Sequence, residues 1–193
     1  GKRLPLYNRV KEAFSGPIIV ICTGNADIEL RGHDLVWKTF LSDNDQFESV
    51  TCSPKDYCTI LFSSGTTGTP KAIPWTHTTA IKAASDAYLH HDIQKGECLC
   101  WPTNLGWMMG PWLVFASLIN QSSMALYYGA PTTDEFSQFV SQAKVNMLGL
   151  VPSLVSHWRA NNYIQQHDWS KIRILSSTGE CSNPEDMFYL TTM

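Results

Sequence analysis

An α/β fold, with a mostly parallel sheet flanked by helices, is predicted by three observations. Short apolar runs alternate with helical patterns from Gly96 onward. The runs starting at 124, 147 and 172 lie 23 and 25 residues apart, an interval that fits βαβ crossovers. The chain has 193 residues and is 44% hydrophobic, enough to bury a sizeable core as one domain or as part of a larger one.

Taken in order, residues 1–16 mix charged and apolar groups without clear period, and 10–14 can form a short helix. Pro17 introduces the β-branched run 18–22, ended by Thr23-Gly24-Asn25, which predicts a buried strand. A polar loop over 27–32 is followed by Leu35, Val36, Phe40 and Leu41 at helical spacing, then by a surface connection over 42–56. The run 58–62 has a strand's composition, and Pro74 and Trp75 suit a short extended piece. Thr76-His77-Thr78 can open a helix reaching about His91, with Ile81, Ala84 and Tyr88 on one face.

Further strands are predicted over 98–101, 124–128, 147–151 and 172–176, and further helices over 108–119 and 153–160. Thr132-Thr133-Asp134-Glu135 reads as a capping box for a helix with Phe136, Phe139, Val140 and Ala143 on one face. Asn183-Pro184-Glu185-Asp186 opens the last helix with a cap residue, a Pro at its first position and acids in its first turn. Ligands of such sheets bind at the carboxyl ends of strands. That rule selects the loops 63–71, 102–107 and 177–183.

The formal net charge of −3 supplies no basic field for nucleic acid or for anionic lipid. The most apolar segment, 107–119, is too short for a bilayer span of about 20 residues. Six cysteines, at 22, 52, 58, 98, 100 and 181, form no C-x-x-C pair and read as free thiols of a reducing compartment. Their even number also allows disulfides. No apolar segment of secretory type follows Gly1-Lys2-Arg3-Leu4-Pro5. A start at Gly and a stop within a helical pattern predict a fragment. His90 and His91 point in different directions on a helix, which argues against a metal pair and for solvent exposure.

The chemistry concentrates in Ser63-Ser64-Gly65-Thr66-Thr67-Gly68-Thr69-Pro70-Lys71. Two glycines allow turns and close backbone approach, hydroxyls add donors, and Lys71 adds a positive charge, a set suited to polyphosphate oxygens. An ordinary Gly/Ser/Thr turn collects the same residues for conformational reasons. A Walker loop needs Gly before its Lys and Ser or Thr after it, and Pro70 and Ala72 stand there instead.

This nine-residue run resembles the signature Ser/Thr-Gly-Ser/Thr-Thr-Gly-x-Pro-Lys of the adenylate-forming enzymes, which include acyl-CoA synthetases, luciferases and adenylation domains. The likeness extends over about 56–185 and looks nearest to plant acyl-activating enzymes related to acetyl-CoA synthetase. It departs at Ala72, where the family usually has Gly. Residues 102–110, containing Gly106 and Trp107, resemble the Asp-x-Gly-Trp segment, with Asn104 in the place of Asp. Residues 177–185 resemble Gly-Glu-Pro-x-Asn-Pro-Glu, with Cys181 in the place of Pro.

The resemblance implies that the chain is part of a large N-terminal domain, with 1–55 an N-terminal portion and connection and 56–193 the core. It implies ATP-dependent conversion of a small carboxylic acid to an acyl-adenylate, then to a thioester of coenzyme A, with Mg2+ accompanying ATP. Ser63, Ser64, Gly65, Thr66, Thr67, Gly68 and Lys71 would bind phosphates, and the Thr76-His77 pair matches a family position near that site. Gly179, Glu180 and Cys181 would meet adenine, and Trp107, Met108, Met109 and Thr178 the acyl group. Metal-supporting, ribose-binding and catalytic Lys elements, with the small C-terminal domain, fall beyond position 193 in family order. The expected location is intracellular, cytoplasmic or peroxisomal. Two rival readings stand beside this one: a non-catalytic nucleotide-binding module, and an adenylating enzyme whose acceptor is a carrier protein.

Overall fold

The computed structural model describes residues 5–21, 28–65 and 68–192. They form two compact units, residues 1–51 and 52–193.

In the first unit, α1 (Leu6–Ala13) follows Pro5, and β1 (Ile19–Val20) pairs in parallel with β2 (Leu35–Val36), which runs directly into α2 (Trp37–Phe40). Leu35 and Val36 are therefore strand and not helix. Their spacing fits either state, and pairing with Ile19 and Val20 decides it. The strand at 19–20 is not buried as predicted: Ile19 and Ile21 are 41% and 64% exposed, and Cys22 with the turn at 23–25 lies outside the described residues. What fastens this unit is polar. Buried Asp34 accepts hydrogen bonds from the Tyr7 hydroxyl, the Ile18 N–H at 2.9 Å and the Arg31 guanidinium at 2.9 and 3.1 Å. Arg31 in turn donates to the carbonyls of Phe14 and Gly16.

The second unit holds a parallel sheet of β5 (Cys98–Cys100), β6 (Ser123–Ala125), β7 (Met147–Leu150) and β8 (Ile174–Ser177), in the order β6-β5-β7-β8. Helices α4 (Met109–Ile119), α5 (Asp134–Gln142) and α6 (Pro152–Asn161) make the three crossovers, and α7 (Pro184–Thr191) follows β8. The pleat divides the core. Leu99 and Met147 join Trp112 and Leu113 of α4, whereas Cys100, Leu148 and Leu150 join Phe136, Val155 and Trp158 on the other face. At the amino-terminal edge of the sheet, Arg173 pairs with Asp92 at 3.0 Å and with Glu97.

Three sequence expectations are corrected here. The loop 64–70 does not join a strand of this sheet to a helix: it connects β3 (Tyr57–Ser63) and β4 (Lys71–Thr76), an antiparallel hairpin of its own. Along α3 (His77–His91), the buried face is Ala80, Ala83, Ala84 and Ala87, while Ile81 and Tyr88 are 55% and 54% exposed. Small side chains let α3 lie close on α4, and the larger residues are turned outward. The predicted capping box at 132–135 does not form, since the N-cap is Thr133, whose hydroxyl donates back to the Ala130 carbonyl at 3.5 Å. The helix that has a capping box is α3, between Thr76 and Thr79.

Candidate functional site

The hairpin loop is shaped by its glycines and fixed at its root by strand pairing. Ser63 and Lys71 are register partners at the mouth of the loop. Gly65 has φ +62°, and a Cβ on it would lie 2.6 Å from the Thr69 carbonyl oxygen, so only glycine fits. Ser64, Gly68 and Lys71 are exposed, and Thr66 and Thr67 lie outside the described residues. Ala72 pairs with Phe62 inside β4 and is not among the residues with positive φ. Replacing the usual Gly there strains nothing. The hairpin runs into α3 through the Thr76 cap, so His77 takes the first helical position, half-buried.

The other two loops share the carboxyl edge of the parallel sheet. After β5, Asn104 folds the chain on itself: its side-chain oxygen accepts from the Gly106 N–H at 2.8 Å and its carbonyl from the Trp107 N–H at 2.9 Å. This turn leaves Trp107 and Met108 68% and 58% exposed, whereas Met109 packs on the core beneath α4. Trp101, at the root of the loop, is buried with its ring edge-to-face on Trp112, centroids 5.5 Å apart.

A cavity of about 420 Å³ opens between this loop and the segment after β6, with Pro102, Trp107, Leu126, Tyr127 and Pro131 in its wall. Leu126 and Tyr127 escaped the sequence reading because it placed them inside a strand over 124–128, whereas β6 ends at Ala125 and leaves both in the loop at its carboxyl end. A second hollow of about 500 Å³, between α6 and α7, takes no residue from the three loops.

After β8, Thr178 extends the ladder by donating its N–H to the Leu150 carbonyl at 3.2 Å. Gly179 follows with φ +92°, and Glu180 turns back onto α6, where its carboxylate accepts from Ser153 N–H at 2.9 Å and Ser153 Oγ at 3.1 Å. Cys181 is exposed, and the side chain of Asn183 caps α7 through the Glu185 N–H at 2.9 Å, as its sequence predicts. Glu180, although exposed, is thus tied to the start of α6 by two hydrogen bonds.

His91 departs from expectation as well. Half-buried, it sets its ring edge 5.2 Å from Trp112 by centroid and shares a hydrogen bond of 3.1 Å between Nε2 and Ser176 Oγ on β8. Burial pushes its imidazole below the usual range, toward the neutral form. Burial also pushes the Cys100 thiol up to about 12, which removes it as a nucleophile. Cys58, Cys98, Cys100 and Cys181 are free thiols, and Cys22 lies outside the described residues. Among the described residues no group of three His, Cys, Asp or Glu could hold a metal ion, and no helix is long and apolar enough to cross a membrane.

Known proteins are similar to this chain over nearly its whole length. "Hexanoyl-CoA synthase" of Cannabis sativa is 52% identical over 98% of the chain, and "Probable acyl-activating enzyme 17, peroxisomal" of Arabidopsis thaliana is 46% identical over 98%. The chain spans 27% of the length of each. Among solved structures, acetoacetyl-CoA synthetase from Streptomyces lividans superposes with a TM-score of 0.84 at 24% identity, over 95% of this chain and 30% of that one, which establishes the shared fold. The profile described as "AMP-binding enzyme" matches residues 9–192, a span that includes the hairpin loop and both loops at the sheet edge, and the chain belongs to that family.

Proposed function

We infer that the protein activates a carboxylic acid with ATP, forming an acyl-adenylate and pyrophosphate, and then passes the acyl group to the thiol of coenzyme A. The observation that carries this reading is the hairpin loop, with Gly65 held at positive φ and Lys71 standing exposed opposite Ser63. Its hydroxyls and N–H groups suit phosphate oxygens, with Lys71 as a point charge that draws the β- and γ-phosphates away from the α-phosphorus under attack. Thr66 and Thr67 belong to the same phosphate set.

Catalysis of this half-reaction is mainly positioning and charge neutralisation at phosphorus. The loop at 179–181 offers a surface for the adenine, and Trp107, Met108, Met109 and Thr178 border the acyl group. The cavity walled by Trp107, Leu126 and Tyr127 favours an aliphatic acid of modest size, in keeping with the name of the hexanoyl-CoA synthase relative. Magnesium would travel with ATP. The word peroxisomal in the names of two Arabidopsis relatives supports a peroxisomal location.

Acid-dependent exchange of pyrophosphate into ATP, measured on the full-length protein with a panel of aliphatic acids, tests this function. Exchange is expected, and Lys71→Ala should slow it about ten- to a hundredfold, the value of a hydrogen bond to a charged group. Exchange without dependence on any acid, or unchanged by Lys71→Ala, would overturn the reading.

A further inference from the structure

The carboxylate of Glu180 has a partner that its place in the chain does not suggest. Helix α6 begins with Val151 at its N-cap, a residue with no side-chain acceptor, and Pro152 at its first position, which has no N–H. The first N–H available at this helix end is that of Ser153. Glu180, 27 residues later, accepts it on Oε2 at 2.9 Å and takes the Ser153 hydroxyl on Oε1 at 3.1 Å. Its charge also lies where the helix end favours an anion.

The loop is held to the same junction at other points. Thr178 N–H donates to the Leu150 carbonyl at 3.2 Å, and the backbone at Gly179 runs past Val151, whose Cγ1 is 3.6 Å from where a Cβ would stand. The hydroxyls of Ser177 and Ser182 meet at 3.4 Å, closing the loop on itself. Each oxygen of the exposed Glu180 carboxylate accepts one hydrogen bond from Ser153, and beside it the backbone of 179–181 and the exposed Cys181 side chain are open to a ligand.

We propose that Glu180 is a positioning residue: anchored on Ser153, it fixes the backbone of 179–181 as the platform on which the nucleotide base rests, and its carboxylate does not touch the base. The proposal rests on the ATP-dependent reading above.

The test uses acid-dependent pyrophosphate exchange by the full-length protein and its Glu180→Ala, Glu180→Gln, Ser153→Ala and doubly substituted Glu180→Ala/Ser153→Ala variants. Loss of the anchor in Glu180→Ala should raise KM for ATP about tenfold, in line with loss of a helix cap, while kcat and KM for the acid stay nearly constant. Glu180→Gln keeps an oxygen for the Ser153 N–H and should recover most of the affinity. Ser153→Ala should have a smaller effect in the same direction, and the double variant should be no worse than Glu180→Ala alone, because the two residues act as one unit.

The purine triphosphate lacking the 6-amino group supplies the discriminating probe. A positioning role predicts that Glu180→Ala weakens ATP and this analogue equally. Additive effects of the two substitutions, or a loss confined to ATP, would overturn the proposal and assign Glu180 to direct base contact. Absence of acid-dependent exchange in the wild-type protein would instead overturn the parent reading and the proposal with it. Ser153→Ala, the milder change, keeps the test decisive if Glu180→Ala does not fold.

Discussion

Gly149 lies in the middle of β7, where its neighbours Leu148 and Leu150 face one core and Met147 the other. A Cβ at Gly149 would stand 1.9 Å from Cδ2 of Trp101 and 2.2 Å from Cε3, so the indole lies flat on bare backbone. Trp112 holds the same ring from another side, and the indole cannot retreat freely. Gly149→Ala should therefore cost about 1–3 kcal/mol, as overpacking does, read as a lower denaturation midpoint at unchanged slope. Residue-level features were legible where they are local: the Asn183 cap, Pro184 at the first helical position and the turn-forming glycines of the hairpin loop all act within a few residues. Glu180 and His91 were not, because Ser153 and Ser176 lie far off in sequence and only the folded sheet brings each pair together.

Helix α3 shows which element properties escape a single sequence. Its extent was readable from its cap and its apolar content, but the predicted stripe of Ile81, Ala84 and Tyr88 had only Ala84 on the buried side. A row of alanines is a weak hydrophobic signal, yet it allows the closest approach to α4. Ala87→Leu, at a position with 0% exposure, should destabilise the protein by about 1–3 kcal/mol. Ile81→Ser should stay within roughly 0.5 kcal/mol of wild type. Paired thermal melts of the two variants check this, and an equal loss in both would contradict the observed face. The four parallel strands were found because their apolar runs are spaced by crossover helices. Strand β2 was missed because two residues have no period to read, and their partner lies on another strand.

At the scale of the whole molecule, the two units draw on different forces. Residues 52–193 are built on two apolar clusters, whereas the first unit is gathered around the carboxylate of Asp34. The Arg31 guanidinium, with help from the Tyr7 hydroxyl and the Ile18 N–H, holds that carboxyl well below the usual carboxylate range. The sign follows from the depressed value. This stabilisation is complete above the unfolded-state pKa of about 3.9 and is lost as pH falls through the lower folded-state value. Asp34→Asn should reduce amide protection at Leu35, whose N–H bonds to the Ile18 carbonyl, at neutral pH, and the difference from wild type should shrink on strong acidification. A difference that grows with acid would contradict the role of the ion pair. The second unit carries a consequence of its own in the Trp101 and Trp112 rings, crossed at 74° at the foot of the 102–107 loop. Two indoles so close and so steeply inclined couple their excited states, giving the protein a built-in chiral chromophore whose near-ultraviolet dichroism reports the posture of the sheet's carboxyl edge without any added dye.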